Sequence, residues 1–160
     1  MFPGEARATE ITLCMAHSTR IAVNKAVNIA EKRLHTEGIL LQVPKAQHKS
    51  RETNAPQDMW VWPGIQLIGC CTMANVMNGC FYTVKAVNHK TIELEDGPVL
   101  TLAAAMQCLR LTYGLTMAGS QGLTLHDRVR ITDTGSKYLT MRHLFVALSR
   151  ATSIDLVEVE

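Results

Sequence analysis

Two segments carry residue types at spacings that could act on a phosphate. The first is Leu115-Thr116-Met117-Ala118-Gly119-Ser120-Gln121-Gly122-Leu123-Thr124, an apolar strand running into a small polar turn with glycines. Glycine at such a turn lets backbone N–H groups approach a phosphate closely, and a helix starting there favours negative charge. Strand-to-helix turns also need glycine for shape alone, so the pattern by itself divides evenly between the two readings. The second is Leu144-Phe145-Val146-Ala147-Leu148-Ser149-Arg150-Ala151-Thr152. Its helix is apolar on nearly all sides and is expected to be buried against a sheet. Arg150 emerges at its end, where a guanidinium must find a carboxylate, an aromatic face, solvent or a phosphate. For a lone arginine a structural salt bridge is the ordinary outcome.

Other groups are weaker candidates. Lys45, Lys49 and Arg51 lie in the polar run from Pro44 to Asp58 and could meet phosphates, but a solvated loop accounts for them more simply. Trp60, Trp62, Phe81 and Tyr82 could stack on bases, although aromatic residues more often fill the core of a small barrel. The five cysteines, Cys14, Cys70, Cys71, Cys80 and Cys108, are odd in number and have no C-x-x-C spacing. That argues against a disulfide framework and a zinc site and for buried thiols in a reducing compartment. Six scattered histidines add no metal-ligand spacing, so no metal site is expected in the chain.

The elements that must position these residues can be read from periodicity and turn chemistry. Glu10 to Ala16 suits a buried strand, and Ser18 or Thr19 then caps a helix to about His35. Its inward face would be Val23, Ala26, Val27, Ala30 and Leu34, with Gly38 at the exit. Residues 44–59 read as an exposed loop. From 60 to 106 the texture becomes a small all-β, barrel-like insertion, with strands at Ile65–Gly69, Cys80–Asn88, Thr91–Glu95 and Val99–Leu102. Arg110–Ala118 and Arg128–Asp133 resume the alternation as strands. Thr140 caps the helix of the second segment, and Asp155–Glu160 is a last strand. Residues 1–43 and 107–160 together therefore predict an α/β domain whose mostly parallel sheet is flanked by helices and interrupted by the insertion.

The chain has 160 residues, 47% hydrophobic and 19% charged, which fits one well-buried domain carrying an insertion. A net charge of +2 points to nucleic acid only if the basic residues share a face. No apolar run approaches bilayer length, and Met1 to Thr9 lacks the apolar stretch of a signal peptide. An intracellular, non-secreted protein without membrane contact is expected.

The order of the two segments narrows the reading. Thr116–Thr124 followed by Val146–Ala151 resembles motifs V and VI of superfamily 1 helicases, whose usual forms are T-x-H-K-S-Q-G-x-T and Y-V-A-L-S-R-A. Leu13–Asn24 looks like their motif IV region. Val76-Met77-Asn78-Gly79 with Thr83-Val84 is similar to the N-G-x-x-G-x-V signature of the barrel inserted in RecD-like and Pif-type helicases. The resemblance covers residues 10 to 160 and implies the second, carboxy-terminal RecA-like lobe of an ATP-dependent DNA helicase. It departs from the family at Ala118-Gly119, where relatives carry His-Lys, and at Tyr82, where they carry glycine.

On the matching positions, the resemblance implies that Arg150 is the finger reaching the γ-phosphate, with Gln121 and the Gly122 N–H near the same group. Thr124 would meet the nucleotide sugar. Thr116 and Ser120, with His17, Ser18 and Thr19, would face the phosphates of single-stranded DNA. For Asn24 a local structural hydrogen bond is at least as good a reading as a motif role. No G-x-x-x-x-G-K-[ST] occurs in the sequence and no apolar strand ends in Asp-Glu. ATP and Mg2+ are therefore expected to be held mainly by an amino-terminal RecA-like lobe ahead of this one, without which the chain should be inactive. The rival readings are a stand-alone nucleic-acid or protein binding module and a degenerate helicase-like scaffold.

Overall fold

The computed structural model describes residues 10–44 and 55–160; Lys45, Lys49 and Arg51 lie outside them. In chain order the elements are β1 (Glu10–Cys14), α1 (His17–Lys32), β2 (Ile39–Leu41), β3 (Met59–Val61), β4 (Gln66–Gly69), β5 (Phe81–Val87), β6 (Thr91–Leu94) and β7 (Val99–Thr101). They continue with α2 (Leu102–Cys108), β8 (Leu109–Leu111), β9 (Gly114–Thr116), β10 (Arg128–Ile131), α3 (Met141–Leu148), a 3-10 turn (Ile154–Leu156) and β11 (Val157–Val159). The chain divides into two compact units, one formed up to Val27 and from Tyr113 to Glu160, the other by Asn28–Thr112.

The first unit is built on a four-stranded sheet in the order β11-β10-β1-β9, with every pairing parallel. All five residues of β1 are buried, as a strand with neighbours on both sides and cover on both faces requires. Leu13 and Ile131 are fully buried at its centre. Glu10 is tolerated there because Arg130 Nε lies 3.0 Å from its carboxylate.

Helix α1 differs from its expected pattern. It begins at His17, so Ser18 and Thr19 sit in its first turn and do not cap it, and it ends at Lys32 instead of His35. Val23 and Val27 are buried as expected, but Ala26 and Ala30 are exposed, and Leu34, beyond the helix, is 76% exposed. The buried stripe is completed by Asn24 and Asn28. Within the first unit Asn24 Nδ2 donates to Gly114 O (3.0 Å) while its Oδ1 accepts from Gly114 N (2.8 Å). Within the second unit Asn28 makes the same pair with Trp60, at 2.9 and 2.7 Å. Each amide offers a donor and an acceptor and so imitates a neighbouring strand residue. That satisfaction is what lets two asparagines replace alanines on a buried face.

The second unit holds the antiparallel pair β2–β3 and a five-stranded antiparallel sheet in the order β7-β6-β5-β4-β8. Strand β2 had no sequence signal. The expectation of all-β structure through residue 106 is corrected by α2, an alanine-rich turn of helix capped by Thr101, whose Oγ1 accepts from Ala104 N at 3.2 Å. The single strand expected at Arg110–Ala118 is two strands: β8 closes the antiparallel sheet, and β9 joins the parallel one. No helix among the described residues is long and apolar enough to cross a membrane.

Candidate functional site

Strand β9 ends at Thr116, and the chain then folds into a turn held by its own polar groups. Thr116 Oγ1 accepts from Gly119 N at 3.0 Å, Ser120 N donates to Thr116 O at 2.9 Å, and Ser120 Oγ donates to Met117 O at 2.8 Å. Thr116 is 8% exposed and Ser120 fully buried, so both build the turn from inside. A Cβ at Gly119 would lie 2.9 Å from Thr116 Oγ1, so a larger residue there would require the Thr116 side chain to shift. Gln121, Gly122 and Thr124 are exposed on its outer side, and Gly122 has φ +84°, a left-handed conformation suited to glycine. The turn leads into no helix.

Leu125 instead forms an isolated parallel bridge with Ala151, through Leu125 N to Arg150 O (2.8 Å) and Thr152 N to Leu125 O (3.1 Å). This bridge sets the two sequence segments side by side, ahead of β10 and β11. Arg150 is half-buried: Nη1 donates to Leu123 O at 3.4 Å, Nε to Val146 O at 3.3 Å, and Nη2 to Ser149 Oγ at 3.0 Å. It forms no ion pair among the described residues, so the acceptors that aim its guanidinium there are neutral.

Helix α3, which delivers Arg150, opens with a capping box in which Thr140 accepts from His143 N and His143 Nδ1 accepts from Thr140 N. Contrary to expectation α3 is not buried all round. Only Ala147 is buried, while Met141 is 79% and Phe145 72% exposed. Eight residues give too short a helix to cover more than one stripe, and the apolar remainder faces outward.

The other predicted residues gather at the carboxyl ends of the neighbouring parallel strands β1 and β9. β1 and β9 are paired with Cys14 beside Thr116, and Met117 N donates to Cys14 O at 2.9 Å. The turn from β1 into α1 therefore lies next to the turn after β9, where ligands of open parallel sheets are commonly bound. His17 and Ser18 are exposed and Thr19 half-buried. Burial, with the Arg20 guanidinium nearby, pushes the His17 imidazole below its usual 6.5. Asp133, absent from the sequence expectations, holds this turn. Its Oδ2 accepts from Met15 N and Ala16 N, both at 3.1 Å, and its Oδ1 from Thr19 Oγ1 at 3.2 Å. Asp133 has φ +63°, a left-handed conformation aspartate adopts more readily than most residues. A turn signal exists in Thr132-Asp133-Thr134-Gly135, but nothing local reveals a cap 117 residues away in sequence.

The aromatic candidates are engaged elsewhere in the second unit. Trp62 is buried and stacks on His35 at 4.6 Å, Lys32 lies over Trp60, and the Tyr82 hydroxyl accepts from Met77 N. All five cysteines are free, Cys14 and Cys108 buried. Among the described residues no group of three or more His, Cys, Asp or Glu side chains converges as a metal site.

No protein-family model matches the chain, and no curated protein does. Solved structures do, Pif1 helicases among them. A structure of two coordinating Pif1 helicases in DNA unwinding at forked double-stranded DNA has a TM-score of 0.63 and 18% identity, over 96% of this chain and 39% of that one. Bacteroides Pif1 with ADP-AlF3 and single-stranded DNA gives 0.57 and 16%, over 100% and 42%. Pif1 from Candida albicans gives 0.54 and 18%, over 94% and 44%. The chain spans about two fifths of the length of these helicases. Its fold resembles that of Pif1 helicase domains.

Proposed function

We propose that the chain is the carboxy-terminal RecA-like motor lobe of an ATP-dependent DNA helicase of the RecD-like and Pif-type branch. It works with an amino-terminal P-loop lobe, which holds ATP and Mg2+. The unit built on the parallel sheet is the body of the lobe, and the antiparallel, β-rich middle of the chain is the insertion. Arg150 is the finger that meets charge developing on the γ-phosphate, Gln121 and the Gly122 N–H flank it, and Thr124 meets the sugar. His17, Ser18 and Thr19 address single-stranded DNA, with Thr116 and Ser120 shaping the adjoining turn. ATP-driven closing and opening against the first lobe moves the strand.

The observation that carries this reading is the Leu125–Ala151 bridge, which holds an arginine with no carboxylate partner among the described residues beside the exposed Gln121–Gly122 turn. A guanidinium aimed by neutral acceptors beside a glycine turn suits a phosphate. With a P-loop lobe joined to the chain, Arg150→Ala is expected to lower kcat by about 10³-fold or more while ATP binding changes little. Arg150→Lys should not restore it, because an ammonium does not reproduce the planar fork. Undiminished turnover of Arg150→Ala in steady-state ATPase assays removes the assignment.

A further inference from the structure

We infer that Asp133 is the positioning residue of the strand-binding turn, and that it decides which side chains of that turn can donate to a strand. The inference rests on the strand-side role given to this turn above, and narrows its side-chain donors from His17, Ser18 and Thr19 to the first two.

The donors at the start of α1 are the set a nucleic-acid phosphate would use: two backbone amides and a threonine hydroxyl at a helix N-terminus. In this chain they are already spent. Met15 N and Ala16 N both point to Asp133 Oδ2, and the Thr19 hydroxyl proton goes to Oδ1. A hydroxyl has one proton. While Thr19 donates to Asp133 it can only accept, and a phosphate oxygen is an acceptor too. Thr19 is thereby withdrawn from phosphate contact, and the exposed His17 and Ser18 are left as the side-chain donors. The carboxylate also sets a negative charge behind the turn, which opposes a strand phosphate coming closer than those two side chains. Asp133 reaches this position from a left-handed backbone at the end of β10, paired directly to β1, so the cap is set by the sheet register and not by α1.

The two simplest substitutions separate these effects. Asp133→Asn keeps an oxygen for the two amides and turns its NH2 toward Thr19. The threonine oxygen then accepts, and its proton is released to donate outward. Asp133→Ala removes the cap altogether.

The test is fluorescence anisotropy of a labelled single-stranded oligonucleotide with the 160-residue chain across a salt series. Hydrogen–deuterium exchange is followed at residues 15–19. Asp133→Ala should weaken binding by about tenfold and lose protection of the two amides. Asp133→Asn should keep the protection and bind at least as tightly as the wild type. Wild-type binding with Asp133→Ala indistinguishable from it overturns this assignment alone, as does Asp133→Asn as weak as the alanine variant. No binding by the wild-type chain overturns the strand-side reading itself, and this assignment with it.

Discussion

At the scale of single residues, His17 shows how environment refines what a side chain offers. Its imidazole is pushed below 6.5 by burial and by Arg20, so it is largely neutral at pH 7 and gains its charge only on acidification. A folded value below the unfolded one means that the native state takes up its proton late, so protonating His17 costs stability as pH falls through 6.5. A strand phosphate beside it reverses that cost, and binding should then draw in a proton. Affinity for a single-stranded oligonucleotide is therefore expected to rise by about three- to tenfold from pH 7.5 to 5.5, and His17→Gln should flatten the profile. A flat wild-type profile removes His17 from the strand. Arg150, Gln121 and Gly122 stand out in the sequence because each is chemically unusual in its setting: a charge closing an apolar run, and an amide and a glycine in a strand-end turn. Asp133 was not legible, since an aspartate in a Thr-Asp-Thr-Gly turn is ordinary and its partners are set by sheet pairing.

At the scale of elements, α1 and α3 depart from expectation in opposite directions. The apolar spacing of α1 placed Val23 and Val27 correctly, because those residues meet the core. It misplaced Ala26, Ala30 and Leu34, because a hydrophobicity pattern cannot credit an asparagine whose amide is paired in full. Asn24→Ala should cost about 2–4 kcal/mol, leaving Gly114 N and O buried without partners, and urea denaturation of the variant measures it. An unchanged midpoint would mean that water replaces the amide at no cost. In α3 the apolar sequence pointed to burial, yet Met141 and Phe145 are exposed. Composition reports that a face avoids water, and cannot say which surface supplies the cover.

At the scale of the whole molecule, the alternation of strands and helices at both chain ends and the β-rich middle were readable. The point where the chain passes between the units was not. Residues 109–116 read as one continuous strand-like alternation, but Thr112 ends one unit and Tyr113 begins the other. Strands of different sheets carry the same alternation, so only pairing separates them. The reading of the site also has a consequence at this scale. With no phosphate-loop motif in the sequence, the isolated chain should show only background ATP turnover, and DNA-stimulated hydrolysis should appear when a P-loop lobe is joined to it. Phosphate release by the purified chain alone, abolished by Arg150→Ala, would contradict that division of labour.

The paired asparagines of α1 bear on how the protein behaves in a crowded solution. β9 stands at the end of the parallel sheet, and Gly114 turns its N–H and carbonyl away from β1; the backbone of Trp60 in β3 is turned outward from β2 in the same way. Open strand borders of this kind recruit strands from other molecules. Asn24 and Asn28 occupy the outward N–H and carbonyl of one residue on each, so the same contacts that fix the helix also blunt these two borders.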